Sequence, residues 1–204
     1  EGFFEAGGDN YHHAALNGAL IGDRMTGSVS VAQMETGGFN AREIDATNPD
    51  RDGYENTSAH AALQAQITPT LSLGLAATTL SGDNDYDGCY DTSTYALIHD
   101  CEDDYEQNAW RVSARWQTDR NSLEVSYAAS DTERAFHSAS KLAYQTRGET
   151  DTASLIGIWQ IGDATRLTYG VDHESQSLTD SSSDRSRDNT GLYLEVRQAL
   201  GQGV

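Results

Sequence analysis

The sequence predicts an all-β chain, an antiparallel up-and-down meander of about ten strands. Three observations predict it. Apolar residues recur with a period of two rather than 3.6, tight turn signals alternate with long polar connections, and only 2 prolines interrupt 204 residues. Leu, Ile, Val and Phe total only 34, which with a net charge of −19 would ordinarily mark disorder. Yet the chain holds 10 Tyr and 3 Trp, and its apolar residues alternate with polar ones instead of scattering. Its 32 Asp and Glu against 13 Lys and Arg exclude basic-patch binding to nucleic acid or anionic head groups. Nothing marks a domain boundary within 1–204.

The strands are expected near 2–8, 11–21, 24–36, 54–68, 71–81, 105–118, 122–133, 150–161, 165–177 and 189–200. In the third, Val29 and Val31 alternate with Ser28 and Ser30. The fourth carries Leu63, Ala65 and Ile67 against Gln64 and Gln66, and the sixth Trp110, Val112, Ala114 and Trp116 against Arg111, Ser113, Arg115 and Gln117. Leu123, Val125 and Tyr127 continue the theme against Glu124 and Ser126. So do Leu167, Tyr169 and Val171 against Arg166, Thr168 and Asp172, and Leu192, Leu194 and Val196 against Tyr193, Glu195 and Arg197.

Tight turns are expected at Gly22-Asp23, Thr68-Pro69-Thr70, Asp119-Arg120-Asn121 and Gly162-Asp163-Ala164. Long polar connections are expected at 37–53, 82–104, 134–149 and 178–188. In a meander every second connection emerges on the same side, so one rim collects the tight turns and the other the long loops. Outer-membrane barrels have this asymmetry, with an apolar strand face toward lipid and a polar face toward the lumen. Here the inward candidates are Arg, Glu, Ser, Thr and Gln, which suit a wet interior. The chain is therefore read as part of a transmembrane β-barrel, with aromatics such as Tyr11, Tyr54, Tyr105, Trp110, Trp116, Tyr127, Trp159, Tyr169 and Tyr193 at strand positions where an interfacial girdle falls. A soluble twisted meander with one solvated face is the alternative. A membrane helix is not expected: residues 56–82 carry no charge but are rich in Ser, Thr and Gln and broken by Pro69.

Eleven residues separate Cys89 from Cys101. That spacing fits a disulfide closing a surface loop in an oxidising compartment; a metal site is the poorer alternative, since only His99 lies near. From Asp52 to Trp110 the chain has eleven carboxylates and no Lys or Arg. Two stretches, Asn48-Pro-Asp50-Arg-Asp52-Gly53 and Asp83-Asn-Asp85-Tyr-Asp87-Gly88, place alternate carboxylates ahead of a glycine, as a calcium loop begins. Ala59 and Thr94 stand where an EF-hand needs its closing Glu, so no EF-hand is predicted. If the two loops leave adjacent hairpins on one rim, Asp50 and Asp52 would meet Asp83, Asp85 and Asp87 in an oxygen cage for calcium; a solvated acidic loop is the other reading. Gly-x-Ser-x-Gly, Walker and His-Glu-x-x-His motifs are absent, and no enzyme is expected. His12 and His13 point to opposite faces, and His60, His99, His137 and His173 lack ligand spacing.

The stretch Asn48-Pro-Asp-Arg-Asp-Gly-Tyr-Glu-Asn-Thr-Ser58 resembles the segment by which barrels of TonB-dependent outer-membrane receptors enter a strand after an extracellular loop. Asp188-Asn-Thr-Gly-Leu-Tyr-Leu-Glu195 is similar to another loop-to-strand segment of that family. Asp83 to Cys89 followed by Cys101 resembles the acidic, cysteine-bridged loops of its vitamin B12 receptor branch. The resemblance implies a receptor of the Gram-negative outer membrane that imports a scarce metal chelate, cobalamin ahead of siderophores. It also implies contact with outer-membrane lipid, calcium on Asp50 and Asp52 with Asp83, Asp85 and Asp87 as a group, and Asn40 or Glu43 near a further ligand position. The family's plug domain, its TonB box and a terminal aromatic strand have no counterpart here. The chain is therefore expected to be an internal barrel piece, reaching TonB only through a plug that it lacks. A small self-closed pore or adhesion barrel and a secreted calcium-binding β module are the rival readings.

Overall fold

The computed structural model describes residues 1–40 and 51–199. Ten strands form one antiparallel sheet in which each pairs with the next: β1 (Gly2–Ala6), β2 (His12–Ile21), β3 (Met25–Phe39), β4 (Asp52–Thr68), β5 (Leu71–Tyr86), β8 (Cys101–Gln117), β9 (Asn121–Ser138), β10 (Lys141–Ile161), β11 (Thr165–Asp180) and β12 (Asp184–Gln198). Between β5 and β8 the two-residue strands β6 (Cys89–Tyr90) and β7 (Leu97–Ile98) pair with each other. All ten predicted strands are present.

Several strands run further than expected on the rim opposite the tight turns. The connections predicted at 134–149 and 178–188 are mostly strand: Glu133 pairs with Arg147, and Thr179 with Asp184. What remains of the first is a two-residue turn at Ala139-Ser140, both residues at positive φ (50° and 58°), the geometry that lets a hairpin follow strand twist. Alternation of apolar and polar residues vanishes where both faces are wet, although backbone pairing continues. Between β11 and β12, Asp180 Oδ1 accepts bonds from the amides of Ser182 (2.7 Å) and Ser183 (2.8 Å). Those bonds, with the Ser182 hydroxyl's leading, hold the Asp180 carboxyl down at about 2.

The sheet has no core. Among the described residues the only buried apolar side chain is the disulfide-bonded Cys101. Register explains what the two faces are instead. One row across β8 to β12 reads Trp116, Leu123, Gly157, Tyr169, Leu194, and the next Ala114, Val125, Leu155, Val171, Leu192. Two rows further the same face reads Trp110, Ala129, Asp151, Ser175, Asp188, so it turns polar along the strands. From Trp116 to Trp110 the apolar band covers about 20 Å of strand. Trp110 lies 5.4 Å from Tyr127, whose hydroxyl donates to Asp151 Oδ1 at 2.6 Å, so the changeover is marked by aromatics with one polar end each. The opposite face is polar at the same height: Ser113, Ser126, Ser154, Asp172 form one row, and Arg111 and Arg115 both bind Glu124.

Cys89 and Cys101 form a disulfide with their Cα atoms 6.0 Å apart. It closes residues 90–100 into a loop. Inside it Asp91 Oδ1 accepts the amides of Ser93 and Thr94, and Ser138, 1% exposed, donates its hydroxyl to the Tyr90 carbonyl at 2.7 Å. The loop is thereby fastened to the ends of β8 and β9.

Two outcomes are expected. Replacing both Cys89 and Cys101 with Ser lowers stability by about 3 kcal/mol, read by urea denaturation as a lower midpoint. The Asp180 carboxyl, depressed in the fold, stabilises its turn fully above pH ~4. That contribution fades as pH falls toward about 2, and carboxyl NMR titration reads the midpoint directly.

Candidate functional site

The strand ends on the long-loop rim carry two distinct side-chain sets, one on each face. On the polar face the row Asn56, Gly82, Tyr105, Arg134 crosses β4, β5, β8 and β9. Gly82 leaves the space through which Tyr105 reaches across β5. A Cβ there would stand 2.6 Å from Tyr105 Oη and 2.2 Å from the Glu55 carbonyl oxygen. The Tyr105 hydroxyl meets Tyr54 Oη at 2.9 Å and accepts from Asn56 Nδ2 at 2.8 Å. That shared bond, with burial behind it, pushes the Tyr54 phenol up to about 12, so it stays neutral and able to donate. Beside it Arg134 grips Asp103 through its guanidinium and lies 5.2 Å from the centre of the Phe136 ring, which is 6.2 Å from Tyr144. Two phenols, an amide, a paired guanidinium and two further rings make a wall that can stack on a ligand's flat groups and bond its oxygens.

The apolar face becomes acidic at the same height. Glu35, Glu55, Asp83 and Asp104 stand side by side on β3, β4, β5 and β8, and Glu55, Asp83, Asp104, Glu106 and Glu133 line one shallow groove. Like charges opposite one another in a sheet repel. Burial first, then Glu55, Asp85 and Asp104, raises the Asp83 carboxyl above its usual range; Glu102 is raised by burial, then by Asp104 and Asp85.

Of the residues proposed for calcium, Asp83 and Asp85 share this face, and Asp85 leans over Gly53, where an added Cβ would be 3.1 Å from its Oδ2. Asp52 has the opposite parity along β4, that of Tyr54 and Asn56. Asp87 lies 3.3 Å from His99 Nδ1, the two side chains 8% and 17% exposed. Asp50 and Glu43 lie outside the described residues, and Asn40 follows the end of β3. The sequence reading missed Glu102, Asp104 and His137, whose ligand atoms all come within 4.8 Å of one another. It also missed the Tyr54–Tyr105 pair. Residue spacing along the chain carries no sign of either, because both are assembled across strands.

Charge divides between the faces. Of eight strand arginines, seven (Arg111, Arg115, Arg134, Arg166, Arg185, Arg187 and Arg197) have the polar-face parity, and Arg147 alone has the other. Arg147 is itself held by Asp131 at 2.8 Å and Glu149 at 3.1 Å. The surplus of negative charge thus falls on the face that is apolar lower down.

No family model matches the chain, and no curated protein matches it. Solved structures do. The siderophore receptor PiuA from Acinetobacter baumannii aligns over 97% of this chain and 37% of its own, with a TM-score of 0.64 at 14% identity. For BauA, the ferric preacinetobactin receptor of the same organism, the figures are 93%, 38%, 0.63 and 12%. The ferric enterobactin receptor PfeA from Pseudomonas aeruginosa gives 95%, 35%, 0.65 and 18%. The chain spans little more than a third of the receptors it matches. At such identities the likeness shows the fold: the ten-stranded meander is that of a stretch of receptor β-barrel.

Proposed function

We propose that this chain is a barrel segment of a TonB-dependent receptor in the outer membrane of a Gram-negative bacterium, importing a scarce metal chelate. One observation carries the reading. A single-layer sheet with one lipid-like apolar band and one polar face has the same fold, along nearly its whole length, as receptors for siderophores. Hydrocarbon then covers Leu, Val and Trp side chains that no second layer covers. In this reading the polar face lines the lumen, and the long-loop rim is extracellular. Among the described residues β1 pairs only with β2 and β12 only with β11, which favours a segment over a small self-closed pore.

The distribution of charge favours a siderophore. A lumen wall holding seven of eight strand arginines balances its own carboxylates and does not repel an anionic ferric chelate. The wall of Tyr54, Asn56, Tyr105, Arg134, Phe136 and Tyr144 supplies stacking surfaces and donors at its mouth. Cobalamin is the second reading, supported by the acidic disulfide-closed loop. Transport itself needs the plug and the TonB contact of a complete receptor.

In the complete receptor, Tyr105→Ala together with Arg134→Ala is expected to lower ferric siderophore uptake by about 10-fold, the loss of one or two kcal/mol of contact. Uptake of labelled chelate under iron limitation measures this. Unchanged siderophore uptake with impaired cobalamin uptake would transfer the assignment to cobalamin. Calcium, with Asp83 and Asp85 among its ligands, is part of the reading, since it would offset the repulsion along the acidic row. Asp83→Asn should therefore raise thermal stability in chelator, by about 0.5 kcal/mol, and lower it when calcium is present. Calcium should likewise slow protease cleavage within 37–53 and 82–104; equal cleavage with and without chelator would remove the calcium claim.

A further inference from the structure

We propose that Glu102, Asp104 and His137 form a site for a divalent transition metal of the zinc class, on the outward side of the sheet at the base of the disulfide loop. The three come together through register. Glu102 on β8 stands directly opposite His137 on β9, and Asp104 is two residues further along β8 on the same face, opposite the small Ala135. Their ligand atoms all fall within 4.8 Å of one another.

The imidazole is what separates this cluster from a plain acidic patch. His137 Nδ1 is closed off from solvent and stands 3.2 Å from Asp104 Oδ2, as an ion pair whenever the imidazole carries a proton and as a ready ligand pair when it does not. Two ligand atoms on one tetrahedral zinc at 2.0–2.1 Å are about 3.3 Å apart. The nitrogen and oxygen of this pair already have the spacing of two ligands on a shared ion. Two carboxylates and one imidazole would neutralise a dication and leave a fourth position to water. Nitrogen ligation disfavours calcium and magnesium, which take oxygen alone. The surrounding charge favours any dication: Asp85, Asp83, Glu55 and Glu106 are on the same face, and its one strand arginine, Arg147, is already bound to Asp131 and Glu149.

This site does not depend on the transport reading. It faces away from the polar wall where a chelate would bind. Next to the Glu102–His137 pair, Cys101 pairs with Ser138, whose hydroxyl holds the disulfide loop. An ion there would clamp β8 to β9 directly beneath that loop.

The test is metal titration of the full chain in detergent with its disulfide intact. Cobalt(II) serves as the spectroscopic probe, and zinc as competitor. One equivalent of cobalt should give the intense visible absorption of a four-coordinate site, be displaced by zinc, and resist a roughly hundredfold excess of calcium. His137→Gln should weaken zinc binding by at least about 10-fold, a loss that even an outer-shell change can cause. His99→Gln should leave it unchanged. Where His137→Gln fails to fold by circular dichroism, zinc X-ray absorption on the unaltered chain decides, through the presence or absence of one imidazole ligand. Oxygen-only coordination, equal competition by calcium, or unchanged zinc affinity in folded His137→Gln would each overturn the proposal, leaving an acidic wall that gathers cations without selecting them.

Discussion

Everything in this structure follows from a sheet that has no second layer. A strand pair normally buries one face against another element, and the apolar side chains so removed from water supply most of the stability. Here Leu16, Leu73, Leu75, Val125, Trp159, Leu192 and Leu194 stay exposed on one face, and nothing in the fold covers them. Backbone pairing satisfies the amides and carbonyls, but it does not hide hydrocarbon. An external apolar phase is the environment in which such a sheet satisfies both requirements at once, and strand pairing is one of the two ways a backbone can enter it.

That constraint also determines where polar residues can stand. Along β8 the same face runs from Trp116 through Val112 and Trp110 to Glu106, Asp104 and Glu102 without a change of register. Residues of one parity therefore serve two solvents, and the Trp110–Tyr127 pair marks where one gives way to the other. Because the strands continue past that line, the long-loop rim is built on paired backbone rather than on loose connections. The Tyr54–Tyr105 pair and the disulfide loop both rest on this extension.

The sequence is legible where the two faces differ. Trp110 to Trp116, Leu123 to Tyr127 and Leu192 to Val196 announce strands because apolar and polar residues alternate. It is silent where the faces agree: nothing in residues 134–149 distinguishes a solvated loop from two paired strands, and Ala139-Ser140 lacks the Asn-Gly signature of its turn type. The cysteine pairing was legible because the bridge is local and needed only spacing. The acidic site was legible in part. Spacing drew attention to Asp83 and Asp85, but alternation along β4 gives Asp52 the other parity, and the fold turns Asp87 toward His99. His137 looked unremarkable because its partners lie 33 and 35 positions earlier in the chain.

Such cross-strand sites depend on register in a way that helical sites do not. A helix fixes its own i and i+4 neighbours, whereas Glu102 meets His137 only because the β8–β9 pairing is continuous from Gln117 opposite Ser122 to Cys101 opposite Ser138. A slip of one residue would exchange the faces, sending Arg111 and Arg115 into the apolar band and Trp110 and Val112 into the polar one. The cost of placing those guanidiniums among Leu, Val and Trp side chains pins the register from the apolar half. The acidic half, whose own repulsion would favour almost any other pairing, is held in line by it. The chemistry at the rim is thus positioned by hydrophobic contacts some 20 Å away along the same strands.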